Sequence, residues 1–243
     1  MTARHLTPDN MTNYRAILFD LDDTLLDFHA CEFNSLEAAF QIIGATNERF
    51  SWRETWAVYE PISAGYWRQR NHMSRDQVVE FSIRDTLLAI DESAQMAPGI
   101  AQKYWSLFCK TAYVRQGAQE TLRILSGQYQ LGLVTNGYSD AQRGRLRVAG
   151  LASYFDVVVV SEEIGHSKPD SRIFEHAIRE LQVSPTETLF VGDSVEHDYY
   201  GAMNTGIDFC YYRTSDVHKN MPVPPKFEID TLEELLDVLP PKK

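Results

Sequence analysis

A chain of 243 residues, 44% hydrophobic and 23% charged, is long enough for one large domain or for a core carrying a smaller insert. Its net charge of −11 argues against binding to a nucleic acid polymer or an anionic membrane, so an anionic ligand would need a local reversal of sign from metal or basic side chains. Cys31, Cys109 and Cys210 are widely spaced without a CxxC pair, the opening residues are polar, and no run approaches a membrane span; together these point to a cytoplasmic protein.

Residues 1–13 read as an N-terminal tail, with Met11 just ahead of the first strand. Ala16 to Phe19 then form a short apolar run that leads into Asp20-Leu21-Asp22-Asp23-Thr24. Such a run is what a strand buried on both faces looks like, and it places Asp20 at the strand's carboxyl end, where open α/β sheets face their ligand crevice. If the chain stays extended, Asp20 and Asp22 project to one side, and two carboxylates so placed need a cation, a shared proton, or both.

From about residue 28 to 113 the pattern is helical throughout. Phe33, Leu36, Phe40 and Ile43 follow helical spacing up to Gly44; Trp52, Trp56, Tyr59, Tyr66 and Trp67 mark a second segment interrupted at Pro61. Val79, Ile83, Leu87 and Ile90 give a third helix, and Ile100, Tyr104, Leu107 and Phe108 a fourth, entered after Pro98-Gly99. Strands and helices alternate again from Gly117. Strands are expected at residues 131–135, 157–160, 188–192, 209–212 and 227–229, with helices between them and a last helix from Thr231 to Val238. The expected architecture is α/β: a doubly wound parallel-sheet, Rossmann-like core of residues 14–27 and 114–243, with an all-helical cap of residues 28–113 inserted into it.

Three further strand ends carry polar residues. Thr135-Asn136-Gly137 offers a hydroxyl and backbone N–H groups to an anion, and equally reads as an N-cap and turn. Lys168-Pro169-Asp170 lies just before a helix; alone, a lysine is a solvated charge. Gly192-Asp193-Ser194, with Asp198 beyond, repeats the strand-end carboxylate, which alone would be a helix cap. Carboxylates at two strand ends, an anion-binding turn at a third and a lysine near a fourth would all open on one crevice.

These four stretches, in this order, resemble the motifs of the haloacid dehalogenase-like (HAD) superfamily: DxDxT as Asp20-Leu21-Asp22-Asp23-Thr24, then Thr135, Lys168, and Gly192-Asp193 with Asp198. The helical insert resembles the cap of the subgroup that carries one there. Leu26-Asp27-Phe28, Thr135-Asn136-Gly137 and Ser161-Glu162 with Gly165 look most like its nucleoside 5′-monophosphatase branch. The resemblance implies hydrolysis of a small phosphate ester through an aspartyl-phosphate on Asp20, with Asp22 as general acid and base. It implies Mg2+ held by Asp20, the Asp22 backbone carbonyl and Asp193. Thr135, Asn136 and Lys168 would hold the phosphate with Asp20, Asp198 would orient Lys168 or a water, and Thr24 would support the first loop. It leaves open a phosphosugar phosphatase or a phosphomutase; a dehalogenase has no use for Asp22, and a non-catalytic binding module would lack one of these residues. Monomer and homodimer are both compatible.

Other residues stay ambiguous at this level. The insert's aromatic residues could stack on a base, but helical spacing favours cap core. Arg68 and Arg70 read as solvated, Gln142 as touching the cap or facing solvent, and Asp23 as incidental.

Overall fold

Short β-branched and aromatic runs between amphipathic helices pair edge to edge and are covered on both faces. The computed structural model describes residues 13–43, 51–68, 73–214 and 221–239; Gly44, Arg70 and the tail up to residue 12 lie outside them. The sheet is 6-stranded: β1 (Ala16–Phe19), β2 (Gln130–Thr135), β3 (Val157–Val160), β4 (Thr188–Gly192), β5 (Asp208–Tyr212) and β6 (Phe227–Ile229). All pairs are parallel, in the order β3-β2-β1-β4-β5-β6. This is a doubly wound α/β fold. β1 lies between β2 and β4, with Ile17 opposite Leu131 on one side and Leu189 on the other.

Side-chain alternation divides each central strand between two cores. Ile17, Phe19, Leu131, Leu133, Leu189 and Val191 face one, closed by α5 (Ala118–Ser126) through Leu122 and Leu125. Ala16, Leu18, Val134 and Phe190 face the other, closed by α8 (Ser171–Glu180) through Ile173, Phe174 and Ala177. The direction of winding reverses between β1 and β4, so their carboxyl ends form the switch point where such sheets bind ligands.

The chain separates into two compact units, Met1–Phe28 with Ala112–Lys243, and His29–Thr111. The first is the sheet with its helices. Its two breaks are joined: Asp27 N–H donates to the Tyr113 carbonyl at 2.8 Å, Arg115 N–H to the Leu25 carbonyl at 2.9 Å, and Leu26 bridges to Val114.

The second unit is helical among its described residues, with most of α1 (Phe28–Ile43), then α2 (Trp52–Arg68), α3 (Arg75–Ala89) and α4 (Ala97–Phe108). Ser74 and Gln77 close a capping box at the start of α3. Trp52, Trp56 and Tyr59 pack on one another and on Phe33, Phe40 and His29; of these, Phe40, Trp56 and Tyr59 are buried in the interior of this unit. Among the described residues no helix is long and apolar enough to cross a membrane.

Several boundaries differ from the sequence reading. Pro61 sits inside a continuous α2 rather than breaking it. Both Pro61 and Ala57, whose carbonyl loses its usual donor, are on the solvent side, where water can take the donor's place. α4 begins at Ala97, so Pro98 occupies its first turn, where a missing N–H costs nothing. The last helix is a 3₁₀ turn, Leu232–Glu234, followed by α10 (Leu235–Val238).

Candidate active site

The site is built where β1, β2 and β4 end, with help from two helix entrances. Asp20 follows β1, and its N–H donates to the Val191 carbonyl of β4 at 2.9 Å. Its carboxylate is buried and meets the Lys168 Nζ at 2.5 Å. The same ammonium lies 2.8 Å from the Asp198 Oδ1. Lys168 precedes α8, and the Asn136 side chain pins it there: Lys168 N–H donates to Asn136 Oδ1 at 2.8 Å, and Asn136 Nδ2 donates to the Lys168 carbonyl at 3.0 Å. The side-chain amide of Asn136 thus holds the main chain of Lys168 from both sides and keeps one Nδ2 hydrogen for another acceptor.

β4 delivers Asp193, and a wide π turn (Val195–Tyr199) leading into α9 (Tyr200–Thr205) delivers Asp198. Ser194 caps that turn by accepting from the His197 N–H at 3.2 Å, and its own N–H donates to Asp198 Oδ2 at 3.0 Å. Asp198 is therefore folded back over the strand end, against Gly192. A Cβ at Gly192 would stand 2.3 Å from Asp198 Oδ2, so the strand must end on glycine. Asp20, Asp193 and Asp198 each present an oxygen within 4.8 Å of the others. Thr24, buried, donates to Asp193 Oδ1 at 3.4 Å.

Two carboxylates, Asp20 and Asp198, meet one ammonium, and a third, Asp193, lies beside them. Burial weakens the Lys168 charge, but Asp198 and Asp20 outweigh that and hold the ammonium above its ordinary range. Burial lifts the Asp20 carboxyl well above its usual value; Lys168 opposes the shift, and Asp198 and Asp193 add to it.

The two carboxylates of the first loop do not share a counter-charge. Asp22 turns to α6 (Ser139–Val148), where Arg145 Nη1 lies 2.6 Å from Oδ1 and Gln142 Nε2 donates to Oδ2 at 2.9 Å. Gln142 Nε2 also donates to the Thr135 hydroxyl at 2.6 Å. Gln142 is buried and does not face solvent. Arg145, which no motif singles out, is 0% exposed. Its place was legible on the helical wheel, since it shares a face with buried Ala141 and Leu146. Asp23 is not incidental either: at φ +60° its Oδ1 accepts from the Phe28 N–H at 3.2 Å and from Arg115 Nη2 at 3.0 Å, which fixes the loop after Asp22.

The family model of haloacid dehalogenase-like hydrolases matches residues 14–205. YfnB of Bacillus subtilis (strain 168), named as a HAD-hydrolase, is 36% identical over 235 residues, covering 94% of this chain and 97% of its own. Its crystal structure, bound to magnesium, matches with a TM-score of 0.80 at 34% identity, over 93% of this chain and 99% of that one. Pyrimidine 5′-nucleotidase PynA of Streptococcus pneumoniae (strain ATCC BAA-255 / R6) is 29% identical, over 93% of this chain and 95% of its own. Pyrimidine 5′-nucleotidase YjjG of Escherichia coli (strain K12) is 28% identical, over 92% and 96%. With these matches and a strand-end site of this composition, the chain belongs to the haloacid dehalogenase-like hydrolase family.

Proposed function

We propose that the chain is a Mg2+-dependent phosphomonoesterase with Asp20 as nucleophile, acting on a small phosphorylated metabolite of the nucleoside 5′-monophosphate class. The observation that carries this reading is the buried Asp20–Lys168–Asp198 array beside Asp193, with a second carboxylate, Asp22, held separately. The donor set fits Mg2+: it is all oxygen, with Asp20, Asp193 and Asp198 each presenting a carboxylate oxygen within 4.8 Å of the others. Asp20 and Asp193 would hold the ion with the Asp22 backbone carbonyl, since both Asp198 oxygens already meet donors. When bound, the ion supplies the positive charge that screens an incoming phosphate from Asp20.

The chain's own residues then do the following. An Asp20 oxygen attacks phosphorus, the bond from phosphorus to the ester oxygen breaks, and that oxygen takes a proton from Asp22. Water attacks the resulting aspartyl-phosphate and gives a proton to Asp22; the bond from phosphorus to Asp20 breaks, inorganic phosphate leaves and Asp20 returns as carboxylate. Proton transfer of this kind contributes about 10²–10⁴-fold. Lys168 and the Thr135 hydroxyl stabilise the phosphoryl oxygens. The substrate class is supported by similarity to two pyrimidine 5′-nucleotidases along nearly the whole chain.

Phosphate release from a panel of pyrimidine and purine nucleoside 5′-monophosphates and sugar phosphates tests both levels. Pyrimidine monophosphates should lead, and only with Mg2+; preferred sugar phosphates would overturn the nucleotide reading and leave the phosphatase. Asp20→Asn should abolish turnover with an unchanged circular dichroism spectrum, and retained turnover would exclude the covalent route.

A further inference from the structure

We infer that Gln142 and Arg145, one turn apart on α6, are positioning residues that fix the Asp22 carboxylate for proton transfer; this rests on the reading of Asp22 as acid and base given above. Both Asp22 oxygens are gripped from one helix, Oδ1 by Arg145 at 2.6 Å and Oδ2 by Gln142 at 2.9 Å. Such a grip removes the rotation about the side-chain torsions that an aspartate at a loop otherwise keeps. Oδ1 is closed off by burial, which leaves Oδ2, through its second lone pair, to a reacting group.

Three observations mark the grip as built rather than incidental. Arg145 is fully buried, and a guanidinium in a helix–sheet interface costs more desolvation than an apolar side chain of similar size would, so packing alone does not explain it. The Gln142 amide is fixed in orientation, because its Oε1 accepts from Arg145 Nη1 at 3.2 Å, which turns Nε2 to Asp22 and to Thr135. Finally, Gly137 leaves room for it: at φ +147°, a Cβ there would lie 3.0 Å from Gln142 Cδ. One amide thus joins the ends of β1 and β2 and sets the acid–base carboxylate in a constant relation to the phosphate-binding hydroxyl. Placement within hydrogen-bond reach of the leaving oxygen is what general acid catalysis requires, and an error of 1 Å can cost about 10²-fold.

The test compares kcat/KM for two esters, because that constant covers only the steps up to departure of the alcohol. 4-Nitrophenyl phosphate has a leaving group that needs little protonation; an alkyl ester such as uridine 5′-monophosphate needs a proton. Arg145→Met and Gln142→Leu should lower kcat/KM on both, with the loss on the alkyl ester about tenfold or more the greater. Arg145→Lys, which keeps a donor, should recover part of that difference. Equal losses on the two esters would mean that the pair only supports packing, and would overturn the inference. Asp22→Asn separates the two levels. If it too loses both esters equally, the acid–base reading itself fails. If it discriminates while the α6 variants do not, only the positioning role falls. Should Arg145→Met fail to fold, Gln142→Leu alone decides.

Discussion

Lys168 pairs with Asp20 and Asp198, with Asp193 beside them, and this buried array is where the protein should respond to protons and cations. Burial and the two neighbouring carboxylates lift Asp20 above the ordinary 3.8, against the pull of Lys168. At this site the folded form therefore holds a proton more readily than the unfolded one above that value, and the contribution of Asp20 to the stability of the metal-free protein falls as pH rises through its raised range. At neutral pH, Mg2+ should raise the melting temperature. Asp193→Asn should remove that shift, which is about 2–4 °C per kcal/mol of binding free energy in a chain of this size. A Mg2+ response retained in that variant would exclude Asp193 as a ligand. Asp20, Lys168, Asp193 and Asp198 were legible only as a set, since each alone reads as a cap or a solvated charge and their common placement at strand ends is what points to one crevice. For Arg145 the helical wheel gave the inward direction but not its partner, because the carboxylate that explains its burial lies far away on another strand end.

At the scale of elements, the decisive contacts are those between the end of one element and the start of another. β4 must close on Gly192 because Asp198 folds back across it from the π turn. Gly192→Ala should displace Asp198, strip one carboxylate from Lys168 and cost about 1–3 kcal/mol. Thermal unfolding would measure the cost, and turnover should fall with it; a variant of unchanged stability would show that Asp198 can move freely. Strand positions were readable because each strand is buried on both faces, so its apolar run is continuous, as in Val157–Val160. The π turn was not readable, because its width is set by Ser194 accepting from the His197 N–H and giving its own N–H to Asp198, a local exchange with no hydrophobic period. Pro61 misled for the opposite reason: a proline on a solvent-facing helix side breaks no buried hydrogen bond.

At the scale of the molecule, the sheet unit is interrupted in sequence but closed in space, where Leu26 meets Val114 and Asp27 meets Tyr113. Replacing residues 29–111 by a short Gly/Ser linker should therefore leave a core that unfolds cooperatively, as circular dichroism and denaturant titration would show; a linker variant lacking a cooperative transition would make the helical unit part of the core's stability. The division into a sheet unit and a helical one was readable as a change of period near residues 28 and 113, because helical and extended segments impose different spacings on the same apolar residues.

The strand order has a kinetic consequence as well. β1 is synthesised first yet lies at the centre of the sheet, and both of its neighbours, β2 and β4, come after the whole helical unit. Its edges stay unsatisfied until more than half of the chain has left the ribosome, while the helices between can form from local contacts alone. Long-range closure onto Ile17 and Leu18 is the slow kind of contact in such a topology. Asp20, the proposed nucleophile, sits at the tip of the strand that waits longest for its partners.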